Sequence, residues 1–368
     1  MILNYFSENY SIINQYLKRF WKNKIAVIGA VNILILILVS ILGYIIAPDN
    51  IKDANSQQIS LKLKKPGFKI QLLELKPNQI ENNAFCSLFI GEKSNAEWMP
   101  IESNYSFIGD SFQYKRYKQP YFSYLKISIP KSNFLKSKIQ NKTYFLGTDG
   151  LGRDVLSRLI IGARISIIVG LVAVFISLII GTMLGMLSGY YGGWIDKIIL
   201  WLINVFWAIP TVLLAMVLLM SYRGESQYKI FVVFVAVGLT MWVDTSRMIR
   251  GLILELKERQ FVEAGRALAF SDFRLVFKHI FPNTFSALIV ITASNFASAI
   301  LMESGLSYLG LGVQPPKPSW GSMLREYYTY LGTEVSYLAI FPGLCIMFAV
   351  FSFYIFGNGL RDAFDVKG

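Results

Sequence analysis

The charged side chains whose spacing suits chemistry or docking lie between residues 247 and 283. Within this range, residues 262–283 are the longest run in the second half that is not simply apolar. The whole range 247–283, here called the basic segment, carries the carboxylate Glu263 and the basic residues Arg247, Arg250, Lys257, Arg259, Arg266, Arg274 and Lys278. Charges of both signs beside apolar side chains can form ion pairs and hydrogen bonds with another protein. The pattern therefore predicts a docking surface.

The rest of the sequence does not predict an enzyme. It contains no Gly-x-x-x-x-Gly-Lys-Ser/Thr phosphate loop and no catalytic triad or paired-carboxylate arrangement. His279 is the single histidine, and Cys86 and Cys345 are the two cysteines, so no group has metal-ligand spacing and no disulfide is expected. We expect no ATPase site, no metal site and no cofactor.

Two short helices are predicted within the basic segment, because apolar side chains recur there at helical spacing. One stripe comprises Val262, Ala264, Ala267 and Leu268, and the second comprises Phe273, Val276, Phe277, Ile280 and Phe281. Ser271 offers an N-cap to the second helix, and Pro282 is predicted to limit its end.

Long apolar runs flank the basic segment. The 368-residue chain is 54% hydrophobic and only 16% charged, whereas a soluble domain is about a quarter charged. We predict an all-α polytopic membrane protein with six transmembrane helices, at about residues 25–47, 165–187, 198–220, 230–243, 285–302 and 337–356. The net charge of +13 is attributed to basic residues that flank the spans, rather than to nucleic-acid binding.

Those basic residues also predict orientation. Lys18, Arg19, Lys22 and Lys24 precede the first span, so the positive-inside rule places the N-terminus in the cytoplasm. Six spans then place the basic segment and the C-terminus there as well.

Residues 49–145 have a different texture and are predicted to form an extracytoplasmic β-rich insert between spans one and two. Apolar and polar residues alternate over 59–63 and 68–72, and residues 121–129 are rich in aromatic and β-branched types. The insert is too long for a simple loop.

Glycine and proline mark local features of the spans. A glycine turn over 147–152 is predicted to precede an interfacial helix over 155–160, whose polar side faces water. Gly181 and Gly185, four residues apart, predict a close helix–helix approach. Pro210 predicts a kink in the third span.

The basic segment resembles the EAA loop of permease subunits of ATP-binding-cassette importers. Glu263-Ala264-Gly265, Ala269 and Ile280-Phe281-Pro282 follow the family pattern of Glu-Ala-Ala, three residues, Gly and a closing Leu-Pro pair. Gly265 stands for the second Ala, Ala269 for the Gly and Phe281 for the Leu.

The resemblance implies that this loop docks on an ATPase subunit. The residues expected to serve the docking are Glu263, Ala264, Gly265, Ala269, Phe273, Phe277 and Pro282. Glu263 would be the polar anchor, and Phe273 or Phe277 the apolar knobs. The alternative is that these aromatic side chains pack on the spans of the same chain.

Two more stretches resemble the dipeptide and oligopeptide branch of this family, which also includes nickel transporters. Leu146-Gly-Thr-Asp149 with Gly152-Arg153-Asp154 precedes the second span, and Glu303-Ser-Gly-Leu-Ser-Tyr-Leu-Gly follows the fifth. Asp149, Arg153 and Glu303 are therefore candidates for a pathway or outer gate. The alternatives are a purely structural elbow for the first two and an interfacial cap for Glu303.

The family resemblance implies a transmembrane permease in the bacterial cytoplasmic membrane, most simply an importer of di- or oligopeptides. Its expected partners are a second, similar permease subunit, two ATP-binding subunits, an extracytoplasmic substrate-binding protein and the lipid bilayer. We expect three regions: residues 1–48 with the first span, the insert 49–145, and a permease core 146–368. The alternatives are a nickel or nickel-chelate permease, and a non-transport membrane sensor or assembly protein.

Overall fold

The computed structural model describes residues 15–74, 91–92, 98–108, 111–117, 126–130, 139–225 and 228–364. The chain divides into two compact units, the first formed by Met1–Ile37, Ser166–Gln314 and Leu344–Gly368, and the second by Leu38–Ile165 and Pro315–Gly343. Cys86 and residues 1–14 lie outside the described residues.

Helices dominate the described residues outside the insert. Residues 15–22 are helical, and the helices that follow in chain order are α1 (Lys24–Ile41), α2 (Gly43–Ile46), α3 (Val155–Tyr191), α4 (Gly193–Ala208), α5 (Thr211–Ser221), α6 (Lys229–Lys257), α7 (Gln260–Ala267), α8 (Asp272–Arg274), α9 (Phe285–Tyr308), α10 (Trp320–Tyr327) and α11 (Tyr337–Phe364).

Among the described residues, five helices are long and apolar enough to cross a membrane, and the bent pair α4 and α5 makes up to six. These five are α1, α3, α6, the continuous stretch Asp272–Tyr308 and α11. The chain is therefore mostly helical with five or six candidate spans.

The predicted interfacial helix over 155–160 is wrong as a separate element. α3 runs without a break from Val155 to Tyr191 and includes both that stretch and the second span. Ser157 and Arg158, which were expected to face water, are buried. Within the second unit, Ser157 accepts from the Asp49 amide and Arg158 donates to Glu326 through Nη2. These contacts let the helix bury both side chains without an interfacial break.

Pro210 does more than kink the third span. α4 ends at Ala208, α5 begins at Thr211, and the two axes differ by 88°. Ile209 between them is extended, with φ −98° and ψ 126°. A proline disfavours helical dihedrals in the residue before it, so the helix separates into two pieces here.

Three predicted helix ends are also wrong. α6 continues past residue 243 to Lys257, so the start of the basic segment is helical. Pro282 does not end the second short helix, because Asp272–Tyr308 is one continuous helical stretch. α9 continues past residue 302 to Tyr308, so Glu303 lies within a helix rather than after one.

A stripe of glycines brings α3 against α6 in the first unit. A Cβ atom added to Gly181 would lie 2.7 Å from the Trp242 carbonyl oxygen, and one added to Gly185 would lie 2.7 Å from that of Ser246. Real Cβ contacts are longer, so only glycine permits this approach of the two backbones. The predicted role of the Gly181–Gly185 spacing is confirmed.

The second unit contains an antiparallel five-stranded sheet of order β4-β3-β2-β1-β5. Its strands are β1 (Phe68–Glu74), β2 (Trp98–Ile108), β3 (Ser111–Arg116), β4 (Lys126–Pro130) and β5 (Ile139–Tyr144). The β-rich character predicted for the insert is thus present in the described residues. The alternation over 59–63 was misleading, because Ile59–Leu61 forms a 3₁₀ turn whose Leu61 is buried against Ile70, Leu72 and Tyr144.

Candidate functional site

The basic segment folds as a bent helical arm after α6. α7 is followed by a turn at Ala269, and Ser271 then caps α8, its Oγ accepting a hydrogen bond from the Arg274 amide at 3.4 Å. This confirms the predicted N-cap. The chain continues through a π-helical turn, Leu275–Ile280, and a 3₁₀ turn, Phe281–Thr284, into α9.

The π-helical turn explains how a proline is accommodated inside this arm. The Phe281 amide donates to the Val276 carbonyl, five residues back. Pro282 follows directly and has no amide hydrogen to donate. The wider turn lets the chain pass the proline and join α9, where an ordinary helix would be expected to end.

One face of the arm is buried against α3 and α6. Val262, Val276 and Ile280 pack in a core cluster with Ile249 and Ile253 of α6 and with further side chains of α3 and α9. This apolar contact holds the arm against helices of the same chain.

Polar contacts fix the same face. The Tyr190 hydroxyl at the end of α3 donates to Asp272 Oδ1 at 2.5 Å, and Lys257 Nζ donates to the Tyr190 carbonyl at 2.7 Å. Nearby, Arg250 makes a two-bonded ion pair with Asp196 of α4, at 2.7 and 2.8 Å. The Tyr190–Asp272 bond therefore ties the arm to α3, and the other two contacts tie α6 to α3 and α4 beside it.

A row of aromatic side chains carries the exposed apolar surface of the arm. Phe273 is 72% exposed and Phe277 is 48% exposed. Phe273, Phe277, Phe281 and Phe285 form a ladder with ring-centroid separations of 4.5, 6.4 and 5.0 Å. The predicted single stripe is thus divided, with Val276 and Ile280 buried, Phe281 partly buried against the same core cluster, and Phe273 and Phe277 exposed.

Glu263 stands on the exposed side of α7. Across the part of the chain that the structure describes, no cation lies within salt-bridge distance of its carboxylate. Ala264, Ala269 and Pro282 are also exposed, whereas Gly265 is buried. The structure therefore brings the predicted docking residues onto one arm and places Gly265 beneath its surface.

Two of the three departures from the EAA pattern, Gly265 and Ala269, occupy distinct positions. A Cβ added to Gly265 would lie 2.6 Å from Leu275 Cδ2, so α7 packs closely on the following turn. Ala269 adopts φ +54°, a left-handed conformation that costs a residue with a Cβ about 1–2 kcal/mol. The bend at 269 is therefore sharp although the residue is not glycine.

Glu303 is completely buried within the first unit. Its carboxylate accepts from the Ser307 hydroxyl at 2.7 Å and from the Ser166 hydroxyl of α3 at 3.3 Å. Ser307 also accepts from the Val313 amide at 3.1 Å, at the turn after α9. A buried carboxylate in a membrane-spanning helix is costly and marks a structural or functional centre.

A second polar cluster joins the same helices. Asn295 of α9 donates to Thr245 of α6 at 3.0 Å, and Ser177 of α3 donates to the Met241 carbonyl at 2.9 Å. Ser177 and Thr245 are also 3.3 Å apart. This cluster was not predicted from the sequence, although an asparagine within an apolar run is a signal for an interhelical hydrogen bond.

Asp149 and Arg153 lie in the second unit and are buried. Asp149 Oδ2 accepts from Arg153 Nε at 2.6 Å and from the Tyr327 hydroxyl of α10 at 2.9 Å. Burial raises the pKa of Tyr327 well above its ordinary value, so this hydroxyl remains a donor. Glu326 accepts from Arg153 and, at 3.1 Å, from Arg158.

This ion cluster holds the glycine turn against α10. The turn itself uses Gly147 and Gly152 with φ of +78° and +74°, as a tight turn requires. Sequence reasoning missed Glu326 and Tyr327, which lie more than 150 residues away along the chain.

Long apolar helices joined by buried interhelical hydrogen bonds define a polytopic helical membrane protein, and its exposed bent arm distinguishes it from a simple bundle. Residues 181–367 match the family of binding-protein-dependent transport system inner membrane components. Residues 11–66 match the N-terminal transmembrane domain of oligopeptide transport permease C. The chain belongs to this family of inner membrane transport components.

Relatives of known name support the same assignment. The glutathione transport system permease protein GsiD of Pectobacterium atrosepticum is 38% identical over 62% of this chain and 74% of its own length. The oligopeptide transport system permease protein OppC of Bacillus subtilis is 38% identical over 67% and 79%. The dipeptide transport system permease protein DppC of Alkalihalophilus pseudofirmus is 37% identical over 61% and 72%.

Proposed function

We propose that this chain forms half of the membrane pathway of an ATP-driven importer of di- or oligopeptides, and that the arm of the basic segment couples it to a separate ATPase subunit. The observation that carries the coupling role is the division of the arm into two faces. Val262, Val276 and Ile280 fasten it to α3 and α6, while Phe273 and the carboxylate of Glu263 are exposed.

This division suits an element that transmits movement from a partner protein to the membrane helices. An exposed aromatic ring can enter a partner's pocket, and an unpaired carboxylate can meet a cation on the partner, as interface anchors do. Because the other face is packed on α3 and α6, a displacement of the arm is transmitted to those helices as a rigid-body movement.

The distribution of basic residues and the number of membrane crossings support the orientation. The basic residues of the segment favour its location in the cytoplasm by the positive-inside rule. If the N-terminus is also in the cytoplasm, an even number of crossings must separate it from the basic segment. This requires the bent pair α4 and α5 to cross the membrane once, in addition to α1, α3 and α6. We therefore propose six crossings, both termini inside and the insert 49–145 outside.

The complete importer then needs further subunits. Two ATP-binding subunits supply hydrolysis, because the sequence of this chain contains no phosphate loop. A second permease subunit supplies the other half of the pathway, and an extracytoplasmic binding protein delivers the substrate. We place the assembly in the bacterial cytoplasmic membrane.

Peptides are the proposed substrate class because the relatives described above are named for oligopeptide, dipeptide and glutathione transport. The nickel alternative has no such support. Membership of a transport family also argues against the alternative of a non-transport sensor or assembly protein.

The test is a charge reversal on the exposed face. Glu263→Lys in the reconstituted complex is expected to lower ATP-dependent dipeptide uptake about tenfold or more, since loss of an interfacial charge pair costs about 2–5 kcal/mol. The matched control is Glu334→Lys, an exposed glutamate of the second unit, which should retain uptake. Equal uptake in the two variants would count against the docking role.

A further inference from the structure

The second unit contains a partly enclosed cavity of about 210 Å³ that the coupling function does not use. Its wall on one side is the segment 48–58, and on the other side it is one face of the sheet. Gln140, Lys142 and Tyr144 alternate along β5 and therefore present their side chains on the same face.

One wall is acidic and holds an unsatisfied buried oxygen. Asp49 is 3% exposed, and its Oδ1 accepts from the Ile51 amide at 3.3 Å. Its Oδ2 is buried and has no hydrogen-bond partner in the described part of the chain. A buried acceptor without a donor is energetically unfavourable, so a ligand that brings a hydrogen-bond donor would be favoured here.

A second carboxylate lines the same cavity at a fixed position. Two backbone hydrogen bonds join Glu92 to the segment 48–58. The Glu92 amide donates to the Asn50 carbonyl and the Glu92 carbonyl accepts from the Lys52 amide, each at 3.0 Å. Glu92 and Asp49 both line the cavity. Their two carboxylates suit a cationic hydrogen-bond donor.

The remaining walls limit what that cation can be. Lys142 lines the cavity as well, and its Nζ lies 5.4 Å from the Tyr144 ring centroid. Its charge disfavours a bare divalent ion but suits a ligand that also carries an anionic or carbonyl group. Leu72 and Trp98 add apolar surface for a side chain.

The volume sets the size of the ligand. Pockets that enclose drug-sized molecules measure about 300–1,000 Å³, so this smaller cavity accepts one end of a molecule. We propose that the cavity binds the free amino terminus of a short peptide, with the α-ammonium group on Asp49 and Glu92 and the first carbonyl or carboxylate towards Lys142. This inference rests on the proposed peptide import for the source of the ligand.

Binding to the full-length chain in lipid nanodiscs tests the site. Isothermal titration with alanyl-alanine and with N-acetyl-alanyl-alanine compares a free with a blocked amino terminus. Loss of the ammonium charge removes a charge-assisted hydrogen bond, so acetylation is expected to weaken binding tenfold or more. Equal binding of the two dipeptides would overturn the proposal.

Variants locate the binding in this cavity. Glu92 is half-buried, and Glu92→Gln is expected to weaken alanyl-alanine binding about tenfold. Glu334 is an exposed residue of the same unit outside the cavity, and Glu334→Gln should leave the binding unchanged. Asp49→Asn keeps the acceptor for the Ile51 amide and should act like Glu92→Gln. Equal binding by Glu92→Gln and Glu334→Gln would place the dipeptide elsewhere and refute the assignment.

A parallel uptake measurement separates this proposal from the function on which it rests. If the reconstituted complex imports alanyl-alanine but the chain does not prefer the free amine, the cavity assignment alone fails. If the cavity prefers the free amine and the complex imports no peptide, the proposed import fails while the binding site stands.

Discussion

Gly185 and Gly251 allow one substitution to be tested in two opposite environments. A Cβ added to Gly185 would lie 2.7 Å from the Ser246 carbonyl oxygen and 2.9 Å from Ile249 Cβ, whereas one added to Gly251 would meet no atom within 4 Å. Both residues lie in helices, α3 and α6. The helix-forming preference of alanine therefore contributes equally to both variants.

The helix preference of alanine and the steric clash change the stability of the protein in opposite directions. Alanine is about 1 kcal/mol more favourable than glycine in a helix, so Gly251→Ala should stabilise the protein by up to that amount. At Gly185 the clash is with backbone, which cannot rotate away, and such overpacking costs about 1–3 kcal/mol. After subtraction of the helix preference of about 1 kcal/mol, Gly185→Ala should destabilise the protein by up to about 2 kcal/mol.

The assay is thermal unfolding of both variants in identical detergent micelles, followed by tryptophan fluorescence. The midpoint of Gly185→Ala should fall below that of the unsubstituted protein, and the midpoint of Gly251→Ala should be equal or higher. A similar rise in both variants would refute the close approach of α3 and α6.

Three further substitutions test the arm and the ion cluster. Ala269→Gly relieves a left-handed residue, partly offset by unfolded-chain entropy, and should raise the unfolding midpoint by the equivalent of about 0.5 kcal/mol. Tyr190→Phe removes the hydrogen bond to Asp272 and should lower the free energy of local opening of the arm by about 1 kcal/mol, measured as faster amide exchange over residues 272–280. Asp149→Asn leaves the buried Arg153 undercompensated and should destabilise the protein by about 3 kcal/mol, with a correspondingly lower midpoint.

The features predicted correctly from the sequence depend on neighbours in the chain. The Ser271 N-cap involves a residue three positions away, and the Gly181–Gly185 spacing is a pattern on one helix face. β1 follows from the alternation over residues 68–72. Such local signals are present in the sequence whatever the rest of the fold does.

The errors arise where distant residues decide. α3 continues through Ser157 and Arg158 because Ser157 bonds to the Asp49 amide, 108 residues away, and Arg158 to Glu326, 168 residues away. A polar side chain in a helix normally indicates water, and only these partners make burial acceptable.

The second predicted stripe is divided for a different reason. Side chains four positions apart stay together, since Phe273 and Phe277 are both exposed whereas Val276 and Ile280 are both buried. Which of these two rows packs on α3 and α6 depends on residues far away in the chain, and helical spacing alone does not contain that information. The continuation past Pro282 depends on the π-helical turn before it, whereas a proline ordinarily predicts a helix end.

Site-directed cross-linking tests the coupling role most directly. Phe273→Cys is introduced with Cys86 and Cys345 replaced by serine, and the assembled complex is treated with a short bis-maleimide; Ile59→Cys, also highly exposed, is the control. The account predicts a cross-link from position 273 to the ATP-hydrolysing subunit and none from position 59. A complex in which position 273 gives no such product, and instead reacts with a membrane-impermeant maleimide added from outside the cell, would contradict it.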